Sequence, residues 1–322
     1  MDLSLALIDL AGFVALLLWG VHMVQTGVQR AFGPRLRLVL GSALRTRLAG
    51  FAAGLGVTAI LQSSTATALM VSGFAAAGLV SLVSGLGVML GANVGTTLIV
   101  QILSLHVSAA APALILIGVV AFRRSQESRW RDLGRTAIGL GLVLLALREM
   151  LLLLEPMEQG EGLRLIAGLL ANQPILALLL GALLAWAAHS SATAVLFVMS
   201  LATTGMMPLH AAFAMTLGAN LGTAINPCLE AGAGDDPAAR RVPLGNLGFR
   251  VLGCAAVLPA LDPIGRFLVV LEPDPARSVA DFHTLFNLAS ALVFLPLLAP
   301  YAAALRRLLP DRAPQVDPTR PA

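Results

Sequence analysis

Between Arg47 and Arg123 the chain carries no Asp, Glu, Lys or Arg, and the same holds between Arg164 and Glu230. A surface wetted on all sides needs charge along every exposed element, so two uncharged stretches of this length point to lipid as the solvent. Composition agrees: 57% of residues are hydrophobic and 12% charged, against about 25% charged in soluble domains. Thirty-one glycines without a period exclude collagen, and 2 cysteines, Cys228 and Cys254, both near or inside apolar runs, make no disulfide scaffold. What remains is a membrane protein built of helices. The net charge of +4 does not mark a nucleic-acid binder, because the basic residues are all Arg and gather at the ends of apolar runs.

Seven spans are expected, near 10–29, 84–105, 110–122, 133–153, 211–230, 243–260 and 279–301, with helical hairpins over 48–80 and 174–207. The Met1-Asp2-Leu3-Ser4 start lacks a basic n-region, so the first apolar run reads as a retained span. Arg30, Arg35, Arg37, Arg45 and Arg47 crowd one connection, Arg123, Arg124, Arg129, Arg131 and Arg135 another, and Arg240 with Arg241 a third. Arg306, Arg307 and Arg312 mark the tail, while Glu155, Glu158 and Glu161 make one connection acidic. By the positive-inside rule the basic connections and the C-terminus are cytoplasmic, and the acidic connection and the N-terminus lie outside.

An internal repeat runs through the chain. Gln62-Ser63-Ser64-Thr65 aligns with His189-Ser190-Ser191-Ala192, and Gly91-Ala92-Asn93 with Gly218-Ala219-Asn220, both at an offset of 127 residues. Gly78 and Gly205 share that offset. It carries the basic connection 30–47 onto the acidic segment 157–174, and opposite charge bias puts equivalent connections on opposite faces. The fold class expected is therefore an all-α polytopic membrane protein of two inverted repeats, each with a re-entrant hairpin and a helix broken near Gly91 or Gly218. Repeat one covers 1–132 with its tip at 62–65, and repeat two covers 133–260 with its tip at 189–192. A final membrane segment takes 261–301 and a cytoplasmic tail 302–322.

The hearts of both repeats lack charge but are dense in hydroxyls and amides. A solitary Ser or Thr in such a helix bonds its own backbone and eases packing, and Ser72 and Ser200 are read so. Paired serines at one offset, each following Gln or His, are not explained by packing alone. Interrupted helices offer free N–H groups to an anion, while opposite helix ends and hydroxyl oxygens suit a hard cation. A sodium ion beside the anion would supply the positive charge that these side chains lack.

These motifs resemble the sodium–phosphate cotransporter family, whose mark is a Gln-Ser-Ser motif in each of two inverted repeats. The Gly-Ala-Asn-x-Gly-Thr stretch at Gly91, its counterpart at Gly218, and Phe282-His283-Thr284-Leu285-Phe286-Asn287 belong to the same pattern. Leu244-Gly245-Asn246-Leu247 is similar to the bacterial form of that last motif. The resemblance covers about residues 10–300 and implies sodium-coupled symport of inorganic phosphate across a bacterial inner membrane by alternating access. It implies phosphate contacts from Gln62, Ser63, Ser64, Thr65, His189, Ser190 and Ser191. Sodium contacts are implied for Thr67, Asn93, Thr96, Thr193, Asn220 and Thr223. His189 and Ala192 depart from the family pattern, and the chain corresponds to the transporter core without the C-terminal PhoU-like domain of many bacterial members.

Two other readings stay open. The same scaffold could carry or export another small anion. An intramembrane Ser/His hydrolase is the remote one: His189 and Ser190 are neighbours on the chain, which point about 100° apart on a helix, and no Gly-x-Ser-x-Gly surrounds a serine. The chain is thus expected not to be an enzyme and to need no cofactor. Its expected partners are phosphate, Na⁺, the bilayer and, left open, a second copy forming a homodimer, with no nucleic acid.

Overall fold

The computed structural model describes residues 3–42, 46–104, 110–154, 168–231 and 236–310. The acidic connection around Glu155, Glu158 and Glu161 and the tail from 311 lie outside the described residues. Twelve α-helices of eleven residues or more order the described chain: α1 (Leu3–Ser42), α2 (Arg47–Leu61), α3 (Ser64–Ala76), α4 (Leu82–Ser104), α5 (Ala111–Arg124) and α6 (Ser128–Leu154). There follow α7 (Pro174–Ala187), α8 (Ser191–Thr203), α9 (Leu209–Ala231), α10 (Pro237–Val257), α11 (Leu261–Leu271) and α12 (Pro275–Leu308). The described residues form no strand.

Among the described residues five stretches are long and apolar enough to cross a bilayer: Ser4–Gly41, Leu82–Ser104, Ser128–Leu154, Pro237–Leu271 and Pro275–Leu308. The protein is a multi-pass membrane protein. Two expected spans differ. Helix α5 has 14 residues, about 21 Å at 1.5 Å per residue, which is short of a hydrocarbon core about 30 Å thick. Helix α9 is long enough, but Asn220, Thr223, Asn226 and Glu230 dilute its apolar character. The first span also runs past residue 29: α1 continues for 40 residues through Arg30, Arg35 and Arg37.

The offset of 127 residues recurs in the backbone. It maps the bounds of α3 onto those of α8 and the bounds of α4 onto those of α9. Among the described residues the non-glycine positions with positive φ are Gln62 (57°) and His189 (50°), and Gly78 and Gly205 share a φ of 69°. A left-handed residue costs an L-amino acid about 1–2 kcal/mol. Holding Gln62 and His189 there lets α2 reverse into α3 and α7 into α8 with no intervening loop, so each tip is a sharp helix–helix corner.

The expected break at Gly91 and Gly218 is not found; α4 and α9 are continuous helices. These glycines serve close packing instead. Helix α2 lies against α4 and α7 against α9. A Cβ at Gly87 would come 2.7 Å from the Arg47 carbonyl oxygen and one at Gly95 2.5 Å from that of Leu55, with Gly91 between them facing Phe51. In the second repeat Gly218 faces Leu178 and Gly222 faces Ala182. Glycine every fourth residue gives one bare stripe, the small-xxx-small device by which membrane helices reach backbone contact. Elsewhere large apolar side chains such as Ile175, Leu179, Leu183 and Leu292 are exposed, as a lipid-facing surface requires.

Two apolar cores hold the hairpins. One gathers Leu61, Val71, Leu86 and Met89 with Val242 and Phe249 of α10; the other gathers Leu178, Leu196 and Phe213 with Phe282 of α12. Phe213 stacks on Phe282 at 4.6 Å and Phe249 on Tyr301 at 4.5 Å, so α12 is joined to both α9 and α10. At the α11–α12 turn, Arg277 donates to Glu272 at 2.9 Å, and that hydrogen bond holds the Glu272 carboxyl below its usual pKa.

Candidate functional site

Each tip begins a helix with a serine cap. The Ser63 hydroxyl accepts from the Ala66 amide at 3.2 Å, and the Ser190 hydroxyl accepts from the Thr193 amide at 3.2 Å. Serine favours this position because its oxygen takes one of the free amides of the first turn. The hydroxyl proton remains available to an acceptor. Ser64, Ser190, Ser191 and Thr193 are buried, Gln62, Ser63 and Thr65 half-buried, and His189 is exposed.

Gln62 folds back, donating from Nε2 to Ala59 O, while its carbonyl accepts from Gln25 of α1 at 3.0 Å. Thr67 pairs with Thr58 of α2 at 2.8 Å, which ties the two arms of the first hairpin together. Two acceptors at the tips, Gln62 Oε1 and Thr193 Oγ1, are buried with no hydrogen-bond partner. A small cavity is lined by Gln62 of the first tip and by Ala192 and Leu196 of the second, with Ile99 and Leu103 of α4 along its wall. The two motifs, 127 residues apart, meet there.

Behind the tips lies a polar cluster that the uncharged reading of these segments did not contain. Arg250 of α10 is 3% exposed and reaches between α4 and α9. Its Nη2 donates to Asn93 Oδ1 at 2.6 Å, and its Nη1 donates to Thr223 Oγ1 at 2.9 Å and to the Asn220 carbonyl. Asn93 in turn donates to Asn246 of α10 at 2.9 Å, and Asn287 of α12 donates to Asn220 Oδ1 at 3.1 Å. Thr96 bonds its own helix at Ala92 O. Expected site residues Asn93, Asn220 and Thr223 are thus brought together, and the organising group is an arginine. The positive charge of this cluster comes from α10, outside the uncharged segments, while the cavity between the tips has no charged lining residue.

The signal for Arg250 was present in the sequence. It is the one charged residue in the apolar run 243–260, and an ionisable residue at membrane depth marks function by default. Asn246-x-x-Phe249-Arg250 also matches His283-x-x-Phe286-Asn287 in spacing, which pairs Arg250 with Asn287. His283 is fully buried with neither ring nitrogen hydrogen-bonded. Of the serines read as packing residues, Ser72 bonds Ala68 O at 2.7 Å, whereas the buried Ser200 hydroxyl has no partner.

The chain is 40% identical over 313 residues to the protein named "Putative inorganic phosphate export protein YjbB" of Escherichia coli, and equally to its namesake in Salmonella typhimurium. Those matches take in 97% of this chain but 57% of each relative, so the chain spans little more than half their length. The uncharacterized protein YqeW of Bacillus subtilis is 30% identical over 312 residues, 96% of this chain and 100% of that relative. No solved structure matches the chain. The family model described as Na⁺/Pi-cotransporter matches residues 16–151 and 155–279, most of the chain with both serine tips, and the chain therefore belongs to the Na⁺/Pi-cotransporter family.

Proposed function

We propose that the protein carries inorganic phosphate across a bacterial inner membrane by alternating access, with the anion held between the two hairpin tips. The observation that carries this reading is the convergence of Gln62 and Ala192 on one cavity, each beside a serine-capped helix start. Each such start offers amide dipoles and a hydroxyl proton, the kind of donors that a small oxyanion takes. Ser63, Ser64, Ser190 and Ser191 are the contacts proposed, with Gln62 and Thr65 beside them and His189 at the rim. Sodium is the proposed coupling ion. The partnerless acceptors Gln62 Oε1 and Thr193 Oγ1, with Thr67 nearby, are the oxygens suited to it.

The repeats are proposed to be inverted, so that one hairpin opens to each side in turn. A Cys at position 37, in a variant without Cys228, is then expected to react with an impermeant thiol reagent only from the cytoplasm. One at position 158, outside the described residues, is expected to react only from outside. Labelling of both from one side removes the inversion.

A second reading concerns direction. The relatives from Escherichia coli and Salmonella typhimurium are named for phosphate export, and alternating access runs either way according to the gradients. Labelled phosphate exchange in proteoliposomes, with Na⁺ or choline on either side, tests both. Phosphate movement above protein-free liposomes is the expected result. None under any gradient, with sulfate or another anion moving instead, overturns the substrate.

A further inference from the structure

We infer that Arg250 is a built-in cation standing in the place of one coupling sodium ion, so that this protein needs one sodium fewer than a chain with a neutral residue at that position. The inference rests on the sodium-coupled carrier reading and narrows its cation requirement.

A buried guanidinium normally faces a carboxylate, since an uncompensated charge in a low dielectric is costly. Among the described residues no Asp or Glu is buried. The acceptors around Arg250 are instead a backbone carbonyl (Asn220), a hydroxyl (Thr223) and an amide carbonyl (Asn93). Neutral oxygens of these three kinds are what a hard alkali or alkaline-earth cation collects. They come from two helices at equivalent places in the repeat, so the cradle straddles the junction of both halves. The cradle is filled by the arginine. Where the matching spacing recurs on α12, the arginine position is Asn287, which donates to Asn220 Oδ1 and brings no charge.

A tethered cation holds these oxygens in every state of the cycle and never dissociates. Phosphate can then be released or re-bound without waiting for a sodium ion at this place. That loosens the link between phosphate movement and the sodium gradient, which an importer depends on and an exporter does not.

The test substitutes the residue found at the matching α12 position, Arg250→Asn, and measures radioactive sodium bound to the purified protein, in detergent and without phosphate. The variant is expected to bind one sodium ion more per chain than the parent, and to gain a melting temperature that rises with Na⁺ but not with choline. In proteoliposomes its phosphate transport is expected to need about tenfold more Na⁺ than the parent for half-maximal rate, within the usual range of coupling. Equal sodium binding by Arg250→Asn and parent overturns the inference. Should Arg250→Asn not fold, Thr223→Ala in the parent decides: sodium binding that persists supports the arginine as holder of that hydroxyl, and sodium binding that is lost overturns it. Because sodium binding is read without phosphate, a protein that moves no phosphate at all overturns the substrate reading and leaves the sodium count to judge Arg250.

Discussion

Gly218→Ala is expected to leave little folded protein to purify. A Cβ at Gly218 would lie 2.7 Å from the Leu178 carbonyl carbon and 2.8 Å from the Ala182 nitrogen, and closer still to the Leu178 oxygen. All three are backbone atoms of α7, so no rotamer change relieves the clash. Relief requires α7 and α9 to separate along their whole shared face, where Gly181 and Gly222 are packed as closely. A loss beyond about 4 kcal/mol places the substitution among the most destabilising of single changes. Size-exclusion of detergent extracts should show aggregate or no protein. Gly73→Ala on α3, where a Cβ meets nothing within 4 Å, is the matched control. It should melt like the parent or slightly above it, since alanine outranks glycine in a helix by about 1 kcal/mol. A monodisperse Gly218→Ala with an unchanged melting temperature would refute the contact-stripe account.

Removing both capping hydroxyls, in Ser63→Ala combined with Ser190→Ala, is expected to reduce phosphate transport far more than it reduces stability. Each cap bond is worth about 1 kcal/mol, which the packed hairpins tolerate. A hydrogen bond to a charged ligand is worth about 1.5–3 kcal/mol, so each lost contact lowers anion affinity about tenfold to a hundredfold. The corresponding glycine pair separates the two roles. Glycine caps nearly as well as serine, losing only a few tenths of a kcal/mol, yet it has no proton to donate. Transport should be as poor in the glycine pair as in the alanine pair, while its melting temperature stays nearer the parent. Transport in the glycine pair equal to that of the parent would show that the serines cap helices and nothing more.

The hairpins were legible because the repeat speaks twice. Matching motifs at one offset located both tips, and the chain must corner at the same residue in each copy because the same pairs of helices pack behind it. Continuity through Gly91 and Gly218 was not legible from the local sequence. Glycine beside asparagine reads as an interruption until it is known that α2 and α7 lie directly against those glycines. Arg250 shows in the sequence as a lone charge in an apolar run, but its partners do not: only the packing of α10 against α4 and α9 carries its side chain into the polar cluster. The length of α1 escaped because arginines were taken to end the span. Arginine is a good helix former, and the backbone simply continues beyond the apolar stretch.

That continuation has a mechanical consequence. Forty residues at 1.5 Å each make α1 about 60 Å long, about twice the thickness of a bilayer's hydrocarbon core. The helix therefore slants steeply or projects as a mast, with Arg30, Arg35 and Arg37 on its far portion. Near its midpoint Gln25 is fastened to the Gln62 carbonyl. Close to that tie, Gly20 meets Gly139 and Gly27 meets Asp132 and Thr136, binding α1 to α6. The helix is thus held at a fulcrum, and Pro34 lies within its arginine-bearing arm, where the missing backbone hydrogen bond lets that arm bend. Over the roughly 18 Å from Gln25 to Arg37, at 1.5 Å per residue, a few degrees of rotation at the tip become a shift of about 1 Å at the arginine-bearing end.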